Sequence, residues 1–181
     1  MWLKSRYLFF KKLFRQPKVN ASITPSSRFL AAAMVKDIDF SDIKTIIEFG
    51  PWTWVFTKVI MKLAHPKAII LCIEYEKEYV DMLHRDFGSR IIIEHGSVID
   101  VKAILAKHNI HKPDLIISWL PFHVYTAWLM QELHEYIKAW TIFRWFSYIP
   151  HQLRDIYQEL PLEKKSFVMR NIPPAFVFGA N

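Results

Sequence analysis

Short apolar runs alternate with amphipathic segments along most of this chain. The apolar runs predict strands at 44–49, 68–74, 90–95, 114–118, 141–147, 164–170 and 175–179. Helical periodicity predicts helices at 53–64, 76–87, 98–108 and 123–137, a short helix near 151–159, and an earlier one that starts at Pro25-Ser26-Ser27 and runs through about Val35. This order predicts an α/β domain whose mostly parallel sheet is covered by helices on both faces. The last two strands, with little helix between them, predict an antiparallel hairpin at the sheet edge.

The N-terminal segment has a different pattern, that of an amphipathic helix over residues 2–16 that ends at Pro17. One broad side carries Trp2, Leu3, Tyr7, Phe9, Phe10, Leu13 and Phe14, and the other carries Lys4, Lys11, Lys12, Arg15 and Lys18. Aromatic and basic residues on opposite sides are typical of a helix that lies in a membrane surface. The alternatives are packing of the aromatic side on the domain, and contact with nucleic acid. We expect residues 1–18 to bind a membrane and residues 19–181 to form the main domain.

Positive charge is concentrated in the same N-terminal segment. The whole chain has a net charge of +7, and residues 1–18 contribute six basic residues and no acidic one. The remainder has 24 − 6 = 18 basic and 17 acidic residues, so it is nearly neutral. An anionic partner is therefore expected to dock at the N-terminus, where each cation near an anionic surface contributes ~1 kcal/mol.

Length and composition exclude several classes of protein. The 181 residues, 52% of them hydrophobic, suit one domain with a packed core. Cys72 is the single cysteine and lies in an apolar run, so we expect a buried thiol in a reducing cytosol, with no disulfide and no cysteine metal site. No run of 18 apolar residues predicts a membrane-spanning helix, and the N-terminus lacks the features of a secretory signal. We expect no metal.

Candidate ligand-binding residues follow the first two predicted strands. The first strand runs into Glu48-Phe49-Gly50-Pro51-Trp52-Thr53-Trp54. A tight turn at this place can present backbone N–H groups to a ligand, and Glu48 can accept hydrogen bonds from a charged amine. Glu74 ends the second strand, where an acid can accept hydrogen bonds from both hydroxyls of a ribose. Its alternative role is that of an acid favoured by the N-terminal dipole of the next helix.

Two more segments with candidate ligand-binding residues follow the third and fourth strands. In His95-Gly96-Ser97-Val98, the short side chain of Ser97 could reach an adenine amino group, although an acid would do so better. Asp100 is either a helix cap or a substitute for that contact. Ser118-Trp119-Leu120-Pro121-Phe122 lies at the carboxyl end of the fourth strand, which is where ligands bind in open α/β sheets.

Together, the segments that follow the first four strands resemble those of the class I S-adenosylmethionine-dependent methyltransferases. More narrowly, the whole chain resembles the bacterial phospholipid N-methyltransferase family, which is related in fold to the rRNA adenine dimethyltransferases. The basic N-terminus carries this resemblance together with three segments: Ile23-Thr24-Pro25-Ser26-Ser27-Arg28, Ser118 through Phe122, and Asn171-Ile172-Pro173-Pro174-Ala175-Phe176-Val177. The Pro-Ser-Ser-Arg and Asn-Ile-Pro-Pro-Ala segments are the more specific ones.

The resemblance implies a Rossmann-like, seven-stranded sheet that binds S-adenosylmethionine over its first four strands. It implies cofactor contacts from Glu48, Phe49, Gly50, Pro51, Trp52, Thr53, Trp54, Glu74, Tyr75, Gly96, Ser97, Val98 and Ser118. It also implies substrate contacts from Arg28, Leu120, Pro121, Phe122 and Asn171.

The activity that the resemblance implies is methylation of the amine of phosphatidylethanolamine-type phospholipids, by a cytoplasmic enzyme peripheral on the inner face of the cell membrane. Tyr148 and His123 are candidates for the base that deprotonates this amine, and a structural role is the alternative for each. Methylation of rRNA adenine at N6 is the second activity considered. It has less support, because the Asn-Ile/Leu-Pro-Tyr/Phe motif of such enzymes is replaced by Ser118–Phe122 and no added RNA-binding domain is present. Nucleic acid is not expected as a partner.

Four tryptophans depart from the family pattern. Trp52, Trp54 and Trp140 stand where the family has glycine, and Trp119 stands where it has small residues. A tryptophan side chain brings about 150–250 Å² of surface, for which the cofactor pocket has no room. We hypothesise that these residues are glycines encoded by UGA, a codon that one genetic code reads as glycine and another as tryptophan. The alternative is a non-catalytic, membrane-associated relic that has lost its cofactor.

Overall fold

A computed structural model describes residues 27–51, 54–121, 124–148 and 160–181. Its seven strands are β1 (Thr45–Phe49), β2 (Ile69–Glu74), β3 (Ile92–His95), β4 (Leu115–Ser118), β5 (Ile142–Ser147), β6 (Glu163–Val168) and β7 (Ala175–Ala180). They form one sheet in the order β3-β2-β1-β4-β5-β7-β6. The first five strands are parallel, and β7 pairs antiparallel with both β5 and β6.

The chain order of the strands reverses between β1 and β4. From β1 the chain builds outward through β2 to β3, and it then returns to the other side of β1 with β4 and β5. The loops that leave the carboxyl ends of β1 and β4 therefore run in opposite directions and leave a crevice between them. In open α/β sheets this crevice is the usual ligand site.

Helices cover both faces of the sheet because strand side chains alternate between apolar clusters. One face carries α1 (Arg28–Val35), α2 (Val55–Leu63) and α3 (Lys77–Phe87), which bury Leu30, Phe56 and Leu83 with Ile46 and Ile70 of the sheet. The other face carries α4 (Val101–Lys107) and α5 (Ala127–Lys138) over the intervening strand residues. Full burial of one such aliphatic or aromatic side chain contributes about 1.5–3 kcal/mol, so these two clusters hold the sheet and its loops in place.

The predicted architecture is confirmed, with all seven strands and the antiparallel edge hairpin present. The helix predicted at 123–137 begins only at Ala127, because the hydroxyl of Thr126 accepts the N–H of Leu129 and caps the helix there. The helix predicted at 98–108 starts as a 3₁₀ turn, Val98–Asp100. The amphipathic segment 1–18 and the short helix near 151–159 lie outside the described residues. Within the described ranges, none of the helices is long and apolar enough to cross a membrane.

Candidate active site

The loops that leave β1, β2 and β4 meet at the carboxyl end of the sheet. The N–H of Gly50 donates to the carbonyl of Ile73 at 2.9 Å, and the N–H of Trp119 donates to the carbonyl of Phe49 at 3.0 Å. Each bond extends the pairing of neighbouring strands by one residue beyond the sheet. The candidate residues predicted on three separate strands are thereby brought to one crevice.

Gly50 makes the turn at the end of β1 possible. Its φ is +68°, a conformation that residues with a Cβ atom rarely adopt. A Cβ added at this position would also lie 3.3 Å from Cδ2 of Leu120 on the loop after β4. The backbone conformation therefore favours glycine here, and the side chain of Leu120 would have to shift to admit a Cβ atom.

Glu48 is a fully buried acid in β1, two residues before Gly50. Its Oε2 accepts hydrogen bonds from the Thr57 hydroxyl at 2.7 Å and from the Cys72 thiol at 3.5 Å. Its Oε1 has no hydrogen-bond partner among the described residues. Burial raises the pKa of Glu48 to about 7, because the bonds from Thr57 and Cys72 offset only part of the desolvation and Glu74 adds repulsion. A cationic ligand beside Oε1 would supply the missing partner and favour the carboxylate.

Glu74 ends β2 and is only 5% exposed. Its Oε1 accepts the N–H of Glu76 at 2.9 Å, immediately before α3 begins. This bond satisfies one backbone donor at the entrance to the helix, as the helix-dipole alternative requires. The strand-end position of Glu74 is also the one that the ribose prediction requires, and Tyr75 beside it is largely exposed.

The loop after β3 is held by Ser97 rather than by Asp100. The Ser97 hydroxyl accepts the N–H of Ile99 at 3.2 Å and starts the 3₁₀ turn, in which Val98 is buried. Asp100 occupies the predicted cap position before α4, but its side chain makes no capping hydrogen bond. Gly96 lies between these residues and β3, where an added Cβ would lie 3.3 Å from Ile104.

Ser118 is buried at the end of β4. Its Oγ accepts hydrogen bonds from the Tyr125 hydroxyl at 2.6 Å and from the N–H of Leu120 at 3.3 Å. Burial raises the pKa of Tyr125, so this phenol stays protonated and acts as a donor. These bonds fix the start of the loop that contains Leu120 and Pro121, whereas Phe122 and His123 lie outside the described residues.

Asn171 links two segments that carry predicted substrate residues, the start of α1 and the Asn-Ile-Pro-Pro segment. This amide is 2% exposed. Its Oδ1 accepts the N–H of Ser27 at 2.8 Å, and its Nδ2 donates to the carbonyl of Pro173 at 2.8 Å. The Asn-Ile-Pro-Pro segment therefore holds the start of α1, which carries Arg28. Tyr148 follows β5, and its ring packs 5.3 Å from that of Phe146.

The described side chains match S-adenosylmethionine at three points and conflict with it at two. The unpaired Oε1 of Glu48 suits an ammonium group, the glycine turn suits a close ligand approach, and Glu74 suits hydroxyl groups. Trp54 closes the turn after Gly50 through its N–H bond to Pro51, and Trp119 begins the loop after β4, so two bulky residues lie on the backbone that a ligand would approach. The Cβ of Trp119 lies 3.9 Å from the position of a Cβ added at Gly50.

Comparison with solved structures identifies the fold. A precorrin-6y C5,15-methyltransferase from Geobacter metallireducens superposes with a TM-score of 0.58 and 11% identity, covering 85% of each chain. A fibrillarin from Aeropyrum pernix, solved with natively bound S-adenosylmethionine, gives a TM-score of 0.58 and 13% identity over 83% of this chain and 75% of that one. This is the class I methyltransferase fold.

A curated relative places the methyltransferase more narrowly. The ornithine lipid N-methyltransferase of Singulisphaera acidiphila is 27% identical, over 96% of this chain and 94% of that one. No protein-family model matches the chain. The predicted resemblance to lipid N-methyltransferases is confirmed by this relative. The predicted fold is confirmed by the solved neighbours, one of which holds natively bound S-adenosylmethionine.

Sequence reasoning missed the partners that position the predicted site residues. Thr57 and Cys72 hold Glu48, Tyr125 holds Ser118, and Ser27 is joined to Asn171. The strand pairing of Glu48 with Cys72 follows from the register of β1 and β2, which the pattern of apolar runs does not give. The bond between Ser27 and Asn171 joins residues 144 positions apart, for which the sequence gives no signal.

Proposed function

We propose that this methyltransferase transfers a methyl group from S-adenosylmethionine to the amine of a phosphatidylethanolamine-type lipid at a membrane surface. The observation that carries the proposal is similarity to a lipid N-methyltransferase over nearly the whole chain. Because that relative is named for ornithine lipid, an ornithine lipid is the second candidate acceptor. Both acceptors present a primary amine near the lipid surface.

In this proposal the carboxyl ends of β1 to β4 hold the cofactor. Glu48 faces the ammonium group through its unpaired Oε1, and Glu74 takes the ribose hydroxyls. The remaining contacts come from Phe49, Gly50, Pro51, Thr53, Tyr75, Gly96, Ser97, Val98 and Ser118. S-adenosylmethionine supplies an electrophilic methyl group when it is bound, so the protein's main contributions are alignment of the amine and exclusion of water.

The acceptor amine has to lose a proton before it can be methylated. Tyr148 and His123 remain the candidates for the group that accepts it. Tyr148 is half-buried at the end of β5, beside the loop after β4, and this position supports its candidacy. Leu120, Pro121 and Phe122 would line the acceptor side of the crevice.

A basic and apolar surface beside α1 supports action at a membrane. The guanidinium groups of Arg28 and Arg170 lie 5.0 Å and 5.2 Å from the ring centroid of Phe29. Met169 and Ile172 in the adjoining turn are each 75% exposed. Arginines suit lipid phosphates, and exposed apolar side chains suit the headgroup boundary. Asn171 holds this surface together, and the basic segment 1–18 precedes it in the chain.

Transfer of a labelled methyl group identifies the acceptor. Protein from its native host is incubated with labelled S-adenosylmethionine and vesicles that contain phosphatidylethanolamine, ornithine lipid or neither amine. Label in phosphatidylethanolamine supports the proposal. Label in ornithine lipid alone would identify ornithine lipid as the acceptor. Label only in added rRNA refutes the lipid activity, and absence of any transfer or cofactor-induced thermal shift favours the relic.

A further inference from the structure

The backbone at position 140 has the conformation of a glycine. Ala139 ends α5, and Trp140 follows it with φ +69° and a side chain that is 79% exposed. The N–H of Trp140 donates to Ile137 at 2.9 Å, and the N–H of Thr141 donates to Tyr136 at 3.0 Å. This pair of bonds defines the Schellman motif, whose left-handed residue after the helix cap is usually glycine.

The backbone at position 54 also has a conformation that favours glycine. Trp54 has φ +43° and ψ +19°, the left-handed region, directly before α2. Its N–H donates to the carbonyl of Pro51 at 2.6 Å, so it closes the turn that begins after Gly50. Its side chain caps no helix N–H group and is buried. A bulky L-residue is a rare occupant of this conformation, whereas glycine adopts it without steric cost.

Position 119 is overcrowded by its side chain. The ring centroid of Trp119 lies 3.5 Å from that of Phe56, although edge-to-face aromatic pairs prefer about 4.5–7 Å. Its indole N–H is buried without a partner among the described residues. Buried tryptophans usually find an acceptor for this donor.

Trp145 shows how a tryptophan is accommodated elsewhere in this fold. It lies in β5 with its indole N–H donating to the carbonyl of Leu120 at 3.1 Å. Its ring centroid is 5.1 Å from that of Tyr125 and 6.3 Å from that of Phe178. Trp145 therefore shows none of the conflicts found at positions 54, 119 and 140.

We propose that the native protein carries glycine at positions 54, 119 and 140 because its UGA codons are read as glycine, and we extend the proposal to position 52, where the family pattern also has glycine. The printed chain has seven tryptophans and four glycines in 181 residues, whereas glycine usually makes up about 7% of a protein. Glycine at these positions removes two left-handed tryptophans and the crowded ring. It also frees the space beside Gly50 and Glu48 for the cofactor, and this last consequence rests on the proposed function.

Masses of tryptic peptides from the native host test the residue identities directly. Cleavage after Lys44 and Lys58 releases residues 45–58, and cleavage after Lys138 and Arg144 releases residues 139–144. We expect glycine at positions 52, 54 and 140 in these peptides. The peptide that begins at Trp145 is the control and retains its tryptophan. Tryptophan at position 54 or 140 in the native peptides would overturn the proposal, whatever the protein methylates.

Ligand binding tests the consequence for the crevice. Two recombinant chains are compared by calorimetry with S-adenosylhomocysteine, one as printed and one with glycine at positions 52, 54, 119 and 140. We expect binding only by the chain with four glycines. Equal binding by both chains would overturn the idea that the indoles occupy the crevice. Glycine in the native peptides with no binding by either chain would refute the cofactor role and leave the residue identities standing.

Discussion

Substitution of Trp140 by glycine isolates the cost of a left-handed backbone from the cost of packing. The left-handed conformation costs an L-residue roughly 1–2 kcal/mol, which glycine avoids. The greater freedom of glycine in the unfolded chain offsets about 0.5–1 kcal/mol of this gain. The indole is 79% exposed, so its removal forfeits little buried surface. We therefore expect W140G to raise the free energy of unfolding by about 0.5–1 kcal/mol. For a domain of this size each kcal/mol moves the melting temperature by roughly 2–4 °C.

Thermal unfolding followed by circular dichroism measures this shift. W140A is the first control, because it removes the indole and keeps the Cβ atom that causes the strain, so its melting temperature should stay near that of the printed chain. W128G is the second control: Trp128 is exposed in the first turn of α5, where glycine lowers helix stability by up to roughly 1 kcal/mol. It should melt at a lower temperature. A W140G chain no more stable than W140A would refute the argument from backbone conformation.

Four more predictions concern the crevice and the N-terminus. In the chain with four glycines, Glu74→Ala should weaken S-adenosylhomocysteine binding by ~1.5–3 kcal/mol in calorimetry, and an unchanged affinity would remove Glu74 from the site. Glu48 has its pKa raised from 4.5 to about 7, so folding stability should fall as the pH rises through that interval. Glu48→Gln should lose this dependence in melting curves at pH 5 to 8, and parallel curves for the two chains would contradict it. Gly50→Ala should lower the melting temperature because of its φ of +68° and the nearby Leu120, and an unchanged melting temperature would contradict this. Deletion of residues 1–18 should abolish sedimentation with anionic liposomes but preserve S-adenosylhomocysteine affinity, and a comparable loss of both would contradict separate roles.

The strands were predictable from sequence because each is a short apolar run between polar boundaries. The run from Ala68 to Ile73, followed by Glu74, defines β2 to within one residue. The boundaries of α5 were less predictable, because Thr126 fixes the start through a hydrogen bond that hydrophobic periodicity does not encode. The order of the strands in the sheet was not predicted, because the pattern of apolar runs does not show which strands pair.

At the candidate site, sequence identified which residues lie at the strand ends but not their chemical state. Glu48 was expected to be an acceptor for an amine, whereas its raised pKa depends on burial among Thr57, Cys72 and Glu74. Asn171 was predicted to contact the substrate, but its bonds to Ser27 and Pro173 were not foreseen. Such properties depend on contacts between residues that are distant in the chain, so a single sequence does not reveal them.

The position of β7 between β5 and β6 has a consequence for synthesis on the ribosome. Residues 142–147 and 163–168 emerge from the exit tunnel before residues 175–180, the strand that joins them, exist. Until then the nascent polypeptide carries two open strand edges, which readily pair with other chains. Any product released early by a termination event upstream of residue 175 would keep those edges, and we expect cellular proteases to remove it.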